Sequence, residues 1–256
     1  MLIDTHTHLF LITKNDTEIE NIIKECQKQN INLLFNISVD FESNFNNVIL
    51  AEKYKELYFS VGIHPSEADK VTEHNLKKIE KLISHNKCIG IGETGIDLYR
   101  NYSSLENQIK LFEYHLCLAK KYNKPVIIHS RNSFEKIMQI LNTSKYKGIR
   151  GIFHCFSYGP EEAQICIQNG FKISFAGNLT YRNAKVLQET AKKISLKHIL
   201  LETDAPYLAP MPYRGKTNFP YYIKYTIKFL SELISIPISK IEQKIEDNIK
   251  NLFGEI

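Results

Sequence analysis

Short apolar runs alternate along this chain with longer stretches whose apolar positions return at the spacing of one helix face. The runs Leu2 to His8, Leu33 to Ser38, Tyr58 to Ile63, Cys88 to Glu93, Pro125 to His129, Gly151 to His154, Phe171 to Phe175 and Ile199 to Thr203 read as eight β-strands. Between them, sets such as Ile19, Ile22, Ile23 and Cys26, or Leu111, Phe112, Leu116 and Ala119, mark the buried side of helices. Eight strand–helix alternations without a glycine- or serine-rich linker predict an α/β fold, a parallel (β/α)8 TIM barrel forming one domain over residues 1–256. Tyr221 to Leu233 would supply the closing helix, and Ser239 to Phe253 an additional C-terminal helix packed against it.

Polar residues that interrupt the pattern gather at strand exits. His6, His8, Glu93, His129, His154 and Asp204 each stand at or next to the end of an apolar run. In a parallel barrel those ends form one mouth, and the chemistry of such enzymes sits there. His6 and His8 are two apart on an extended segment, so both side chains project from one face and can grip one cation. Glu93 follows an apolar run, where an unpaired buried carboxylate is costly. A cation removes that cost, and the two oxygens can bridge two metals roughly 3.5–4 Å apart. His129 and His154 close apolar strands, and Asp204 completes an N/O set that suits zinc, manganese or magnesium. A lone histidine in such a place is usually a packed core residue. Two in successive strands, with His-x-His in the first, point to a two-metal hydrolase.

The other histidines act as an internal control. His74, His85 and His115 fall in helices or loops, and His198 precedes the eighth strand, at the opposite face of a barrel. Surface or packing roles are expected for them. His64 differs, because it leaves the third strand at the mouth and is placed to contact substrate. Cys155 follows His154, but neighbouring strand residues face opposite ways, so only one can face the barrel axis; His154 is the expected ligand.

Composition narrows the classes. Hydrophobic content of 43% and charged content of 24% are ordinary globular values and exclude a disordered chain. No apolar run approaches the roughly 18 residues of a membrane helix, and Leu2-Ile3-Asp4-Thr5-His6 is no leader pattern, so a cytoplasmic protein without a membrane partner is expected. Five cysteines without a Cys-x-x-Cys spacing argue against a disulfide framework and a thiolate zinc site. Gly90-Ile91-Gly92-Glu93-Thr94-Gly95 has the spacing of a dinucleotide loop, yet its glutamate would repel a pyrophosphate. Net charge is a mild +5. Arg100, Arg131, Arg182 and Arg214 follow predicted strands, with Arg150 alone before one, and guanidinium groups around the mouth favour an anionic substrate.

These motifs resemble the TatD family of metal-dependent deoxyribonucleases, within the amidohydrolase-type barrel superfamily. Ile3 to Leu9, Val61 to Pro65, Gly90 to Asp97, Ile127 to Arg131, His154 to Ser157, Leu201 to Pro206 and Arg214-Gly215-Lys216 with Asn218 and Pro220 carry the resemblance over essentially the whole chain. It implies one metal held by His6, His8, Glu93 and Asp204, and another by Glu93, His129 and His154. Phe10, Asn132 and Phe219 depart from frequent family residues, at loops that would shape the mouth.

The resulting expectation is hydrolysis of DNA phosphodiester bonds, at single-stranded ends, by a chain needing no obligate protein partner and acting as a monomer. Two divalent cations would activate a water. Asp204 would orient it and accept its proton, with Glu93 as the shared catalytic carboxylate. Arg131, Arg214, Lys216 and His64 would hold phosphates. Aminoacyl-tRNA deacylation, or hydrolysis of a small amide, ester or lactone, are the alternatives in the same barrel. A metal-stabilised binding protein fits less well, since such a site normally closes and this one opens at a mouth.

Overall fold

A computed structural model describes residues 2–100 and 102–254. The first strand, β1 (Leu2–Thr7), is followed by a short helix α1 (Leu9–Ile12) and by α2 (Asp16–Lys28). Then β2 (Ile31–Asn36), α3 (Phe41–Lys53), β3 (Leu57–Val61) and α4 (Glu73–Glu80) lead to a long β4 (Cys88–Asp97). The pattern repeats through α5 (Leu105–Tyr122), β5 (Val126–Arg131), α6 (Phe134–Leu141), β6 (Gly151–Phe153), α7 (Pro160–Gln168), β7 (Phe171–Phe175), α8 (Lys185–Lys193) and β8 (Ile199–Leu201). Helices α9 (Ile223–Ile234) and α10 (Ile238–Phe253) follow β8, as the sequence predicted. The eight strands lie in sequential order and pair in parallel, forming a nearly closed (β/α)8 barrel. Among the described residues, no helix is long and apolar enough to cross a membrane.

Burial explains why the strands read as apolar runs. Every residue of β1 and β4 is buried, because one face meets the barrel interior and the other the helix layer. The helices close over them with amphipathic faces, such as Ile19, Ile22, Ile23 and Cys26 of α2, and Leu111, Phe112, Leu116 and Ala119 of α5. Side chains set where helices begin. Asn15 accepts from the amides of Thr17 and Glu18, and Asp40 accepts from that of Ser43.

The seam between β8 and β1 has its own chemistry. Instead of a continuous ladder it shows one parallel bridge, Thr7 to Ala205, with backbone bonds from the Asp204 amide to the His6 carbonyl and from the His8 amide to the Ala205 carbonyl, both 2.9 Å. Asp4 spans the rest: its carboxyl accepts from the Thr203 amide at 2.9 Å and the Thr203 hydroxyl at 2.5 Å. Burial pushes Asp4 up to about 8, against the bonds Thr203 donates. Closure of the barrel thereby carries Asp204 onto the His6–His8 strand.

The sequence misplaces several strand ends. Glu93 does not end β4, which runs on to Asp97 and pairs Gly95 with His129 and Asp97 with Arg131. His129 likewise stands inside β5, whereas His154 lies just past β6, and Asp204 three residues past β8. Irregular pairing is the cause. Asp4 pairs with Leu34 but Thr7 with Asn36, and Ile91 pairs with Val126 but Thr94 with Ile128, so one extra residue is inserted around His6 and another around Glu93. A bulge of this kind re-aims a side chain at a strand that otherwise continues.

His115 shows what a buried histidine without a ligand role does. Its ring lies fully buried between α5 and β4, with Nδ1 2.9 Å from the Thr94 hydroxyl and no partner for Nε2 among the described residues. Burial lowers its pKa to about 4. The fold holds it neutral, while the unfolded chain takes up a proton below about 6.5, so stability is lost as pH falls from that value towards 4. The full penalty is about 3 kcal/mol. Chemical denaturation of the wild type and His115→Leu at pH 7 and pH 4 should show the wild type losing about that much more; equal losses would refute it.

Candidate metal centre at the barrel mouth

Glu93 is positioned by three strands at once. Its amide donates to the Ser38 carbonyl at 2.8 Å, and the carbonyl of Gly92 accepts from the Ser60 hydroxyl at 2.6 Å. Ser60 Oγ in turn accepts from the Ser38 amide at 3.1 Å. The approach of β3 to β4 here requires glycine: a Cβ on Gly62 would stand 2.5 Å from the Gly92 carbonyl carbon, and Gly92 itself has φ +153°.

So anchored, the carboxylate offers one oxygen to each of two groups. Oε2 lies 3.4 Å from His6 Nε2 and 3.7 Å from His8 Nε2. Oε1 lies 2.9 Å from His129 Nδ1 and 2.8 Å from His154 Nε2. Asp204 joins the first group, with Oδ1 3.4 Å from His8 Nε2 and 3.7 Å from His6 Nε2. All six residues singled out as ligands therefore meet in one place, in two sets that share Glu93. Asp204 reaches it from a left-handed backbone at φ +55°, a conformation aspartate tolerates.

The donor chemistry fits a divalent cation. His6 and His8 bring Nε2 atoms within 3.1 Å of each other, and both are directed at the same two carboxylates. A proton between them serves one lone pair; a cation serves both. His8 Nδ1 contacts the Ile37 carbonyl at 2.9 Å, the orientation that fixes a ligating imidazole by its second nitrogen. His6 Nδ1 is buried without a hydrogen-bond partner among the described residues.

Charges respond accordingly. Burial alone would raise Glu93, but the charge of His154 and bonds from His129 and His154 hold it well below the usual carboxylate range. Asp204 is lowered against burial by His8, His6 and His154. His154 rises well above an ordinary imidazole although burial opposes it, chiefly because of Glu93 and Glu202. Burial, with like charge on His154, lowers His6.

His64 sits at the edge of the second set, its Nε2 3.6 Å from Glu93 Oε1 and its ring 4.4 Å from that of His129. Nδ1 accepts from the Ser66 amide at 3.1 Å. Burial and the charge of His129 depress it to about 3, so the ring is neutral and its proton lies on Nε2, facing the site. His64 thus presents a donor. Arg131 and Arg214 stand at the rim over the rings of Tyr99 and Tyr181, 4.1 and 4.3 Å from their centroids, and Lys216 lies in the loop after β8, 5.9 Å from the Tyr213 centroid.

Cys155 belongs to none of the ligand clusters among the described residues. It has left the strand, with φ +43°, so the expected alternation of faces is not what separates it from His154. Its amide donates to Glu202 Oε1 at 2.6 Å. His74 and His198 lie away from the centre, on α4 and in the turn before β8, and Arg150 bonds Asn123 and the Leu252 carbonyl at the far end. Of the family departures, Phe10 lines a cleft beside His8, Asn132 takes φ +55° between β5 and α6, and Phe219 stacks on Tyr221.

Two acids were missed. Asp97 Oδ2 lies 3.2 Å from His129 Nε2, while its other oxygen accepts from the amides of Tyr99 and Arg100 at 2.8 and 2.9 Å. Glu202, fully buried, lies 3.4 Å from His154 Nδ1. An acid four residues beyond Glu93 was visible in the sequence, but a strand ended at Glu93 leaves it in a loop.

A parallel barrel whose mouth gathers these imidazoles and carboxylates is the framework of a metal-dependent hydrolase. The family described as TatD related DNase matches residues 3–254, and the chain belongs to it. It is 35% identical over 253 residues to a Bacillus subtilis protein described as an uncharacterized metal-dependent hydrolase, YabD, covering 99% of both chains. The crystal structure of the Escherichia coli TatD homologue YjjV superposes with a TM-score of 0.92 at 29% identity, covering 100% of this chain and 98% of that one. A TatD family hydrolase from Entamoeba histolytica, 21% identical, shares the fold with a TM-score of 0.88 over 98% of this chain and 97% of its own.

Because Asp97 fixes the ring of His129 from behind, Asp97→Asn should weaken divalent-ion binding about 10- to 100-fold. Isothermal titration of the metal-free protein with Zn²⁺ measures this; an unchanged affinity would remove Asp97 from the centre.

Proposed function

We propose that this chain hydrolyses phosphodiester bonds of DNA, removing nucleotides from single-stranded ends with the help of two divalent ions, zinc, magnesium or manganese. The observation that carries the reading is Glu93 offering Oε2 to His6 and His8 and Oε1 to His129 and His154. Family membership supports the choice of DNA. Divalent ions bound in the two sets would lower the pKa of water and offset charge on phosphate oxygens.

The chain's own groups supply the rest. Asp204 is kept ionised by its imidazole neighbours and is more open to solvent than Glu93, 13% against 4%, so it is the carboxylate that orients water and accepts its proton. The Nε2 proton of His64 is a neutral donor for a non-bridging oxygen. Arg131, Arg214 and Lys216 hold the backbone without reading sequence. Arginine at such points gives paired donors to phosphate.

Asp204→Ala should lower turnover of a single-stranded oligonucleotide by about 10²- to 10⁴-fold, while fluorescence anisotropy shows DNA affinity changed by less than twofold. Wild-type turnover in the variant would exclude Asp204 as the base. Metal content gives an independent check: two ions per chain in the wild type, one in His154→Ala, none in Glu93→Ala, and loss of nuclease activity in EDTA. Assays in parallel on charged tRNA and on a simple lactone separate this reading from its relatives, since an enzyme faster on either is not primarily a deoxyribonuclease.

A further inference from the structure

The mouth carries side chains that this reaction leaves unused. Of fourteen tyrosines in the chain only Tyr99, Tyr102 and Tyr207 are exposed, at 61%, 64% and 53%. All three lie in the loops leaving β4 and β8, the strands that lead to Glu93 and Asp204. Packing does not account for them, because rings turned to water at one end of the barrel form no part of the core. Arg131 covers one face of Tyr99 at 4.1 Å from the ring centroid, a cation–π contact that steadies the ring while 61% of the residue stays open. Arg100 Nη1 donates to the Tyr102 hydroxyl at 3.2 Å. The Tyr207 amide donates to the Asp204 carbonyl at 2.8 Å, so a tight turn fixes its backbone three residues from the proton acceptor.

We propose that Tyr99 and Tyr207 are stacking ledges for unpaired nucleobases, and that they select a frayed or single-stranded end over a paired one. The inference rests on the reading of the chain as a DNA phosphodiesterase. A base in a duplex is sandwiched by its neighbours and has no face to give, whereas an unpaired terminal base stacks on an aromatic ring whatever its identity. The arginines suit the same ligand, since a strand whose bases lie on the tyrosines brings its phosphates within reach of Arg131 and Arg100. A small ester or a bare phosphodiester has no use for the ledges.

The test compares a natural single-stranded oligonucleotide with an abasic one of equal length, which keeps the phosphates and removes the bases. KM, kcat and anisotropy Kd are measured for the wild type, Tyr99→Ala, Tyr207→Ala and the two phenylalanine variants, with circular dichroism confirming the fold. The wild type should bind the natural strand about 5- to 100-fold more tightly than the abasic strand. That preference should collapse in the alanine variants, through KM with little change in kcat, and persist in the phenylalanine variants. An alanine variant that keeps the full preference, or a wild type that has none, overturns the ledges. Should the metal-loaded wild type cut no DNA yet bind natural over abasic strands in a tyrosine-dependent way, the phosphodiesterase reading fails and the ledges stand.

Discussion

The rest of the molecule depends on one electrostatic constraint, a carboxylate buried at the barrel exit with imidazoles on every side. Nitrogens of His6, His8, His64, His129 and His154 all lie within 3.7 Å of Glu93 oxygens, and no lysine or arginine pairs with it among the described residues. A buried charge must be compensated. Protons on the imidazoles can do so, and the rise of His154 and His129 shows the site drawing them in. Divalent ions can do so better, since each engages several lone pairs, but they need the imidazoles neutral. Protons and metal therefore compete for the same atoms.

Meeting that constraint takes departures from regular barrel geometry. An ideal parallel strand would send alternate residues inward and end at its last ladder bond. Here extra residues around His6 and Glu93 turn those side chains while β4 continues for four further residues to Asp97. Glycines at 62 and 92 let two backbones touch where Glu93 must be fixed. The seam does similar work for Asp204. Ordinary ladder bonding between β8 and β1 is replaced by Asp4 reaching across to Thr203 and by a single backbone bridge, which leaves the chain after Leu201 free to curl Asp204 over His6 and His8.

Much of this was legible in the sequence, and the illegible part has a physical reason. Apolar periodicity reports burial, and since the strands are covered on both faces over most of their length it located all eight and both terminal helices. Residues such as His129 and His154 stood out because a polar group closing an apolar run is expensive unless it has a partner. The same signal is silent about partners. Asp97 and Glu202 look like ordinary acids near strand ends, and only the irregular pairing of β4 and the turn at Cys155 bring them behind His129 and His154. His115 and His64 show the reverse limit: both are histidines near strands, and what separates them is that His115 faces the apolar side of α5 whereas His64 leaves β3 at the mouth.

Charge is sorted by depth, and that sorting constrains what can enter. The floor holds carboxylates and imidazoles, which attract cations and, without them, would repel a phosphate. The rim holds Arg100, Arg131 and Arg214, two of them lying over tyrosine rings at close range. A polyanion arriving from solvent meets the rim first, and guanidinium groups stacked on aromatic faces keep their in-plane donors free for phosphate. Under the proposed reading it would descend to Glu93 only once bound metal had neutralised the floor. For the phosphodiester substrate proposed, occupancy of the two ligand sets would thus be a condition for the reacting phosphate to approach at all, before any question of activating water.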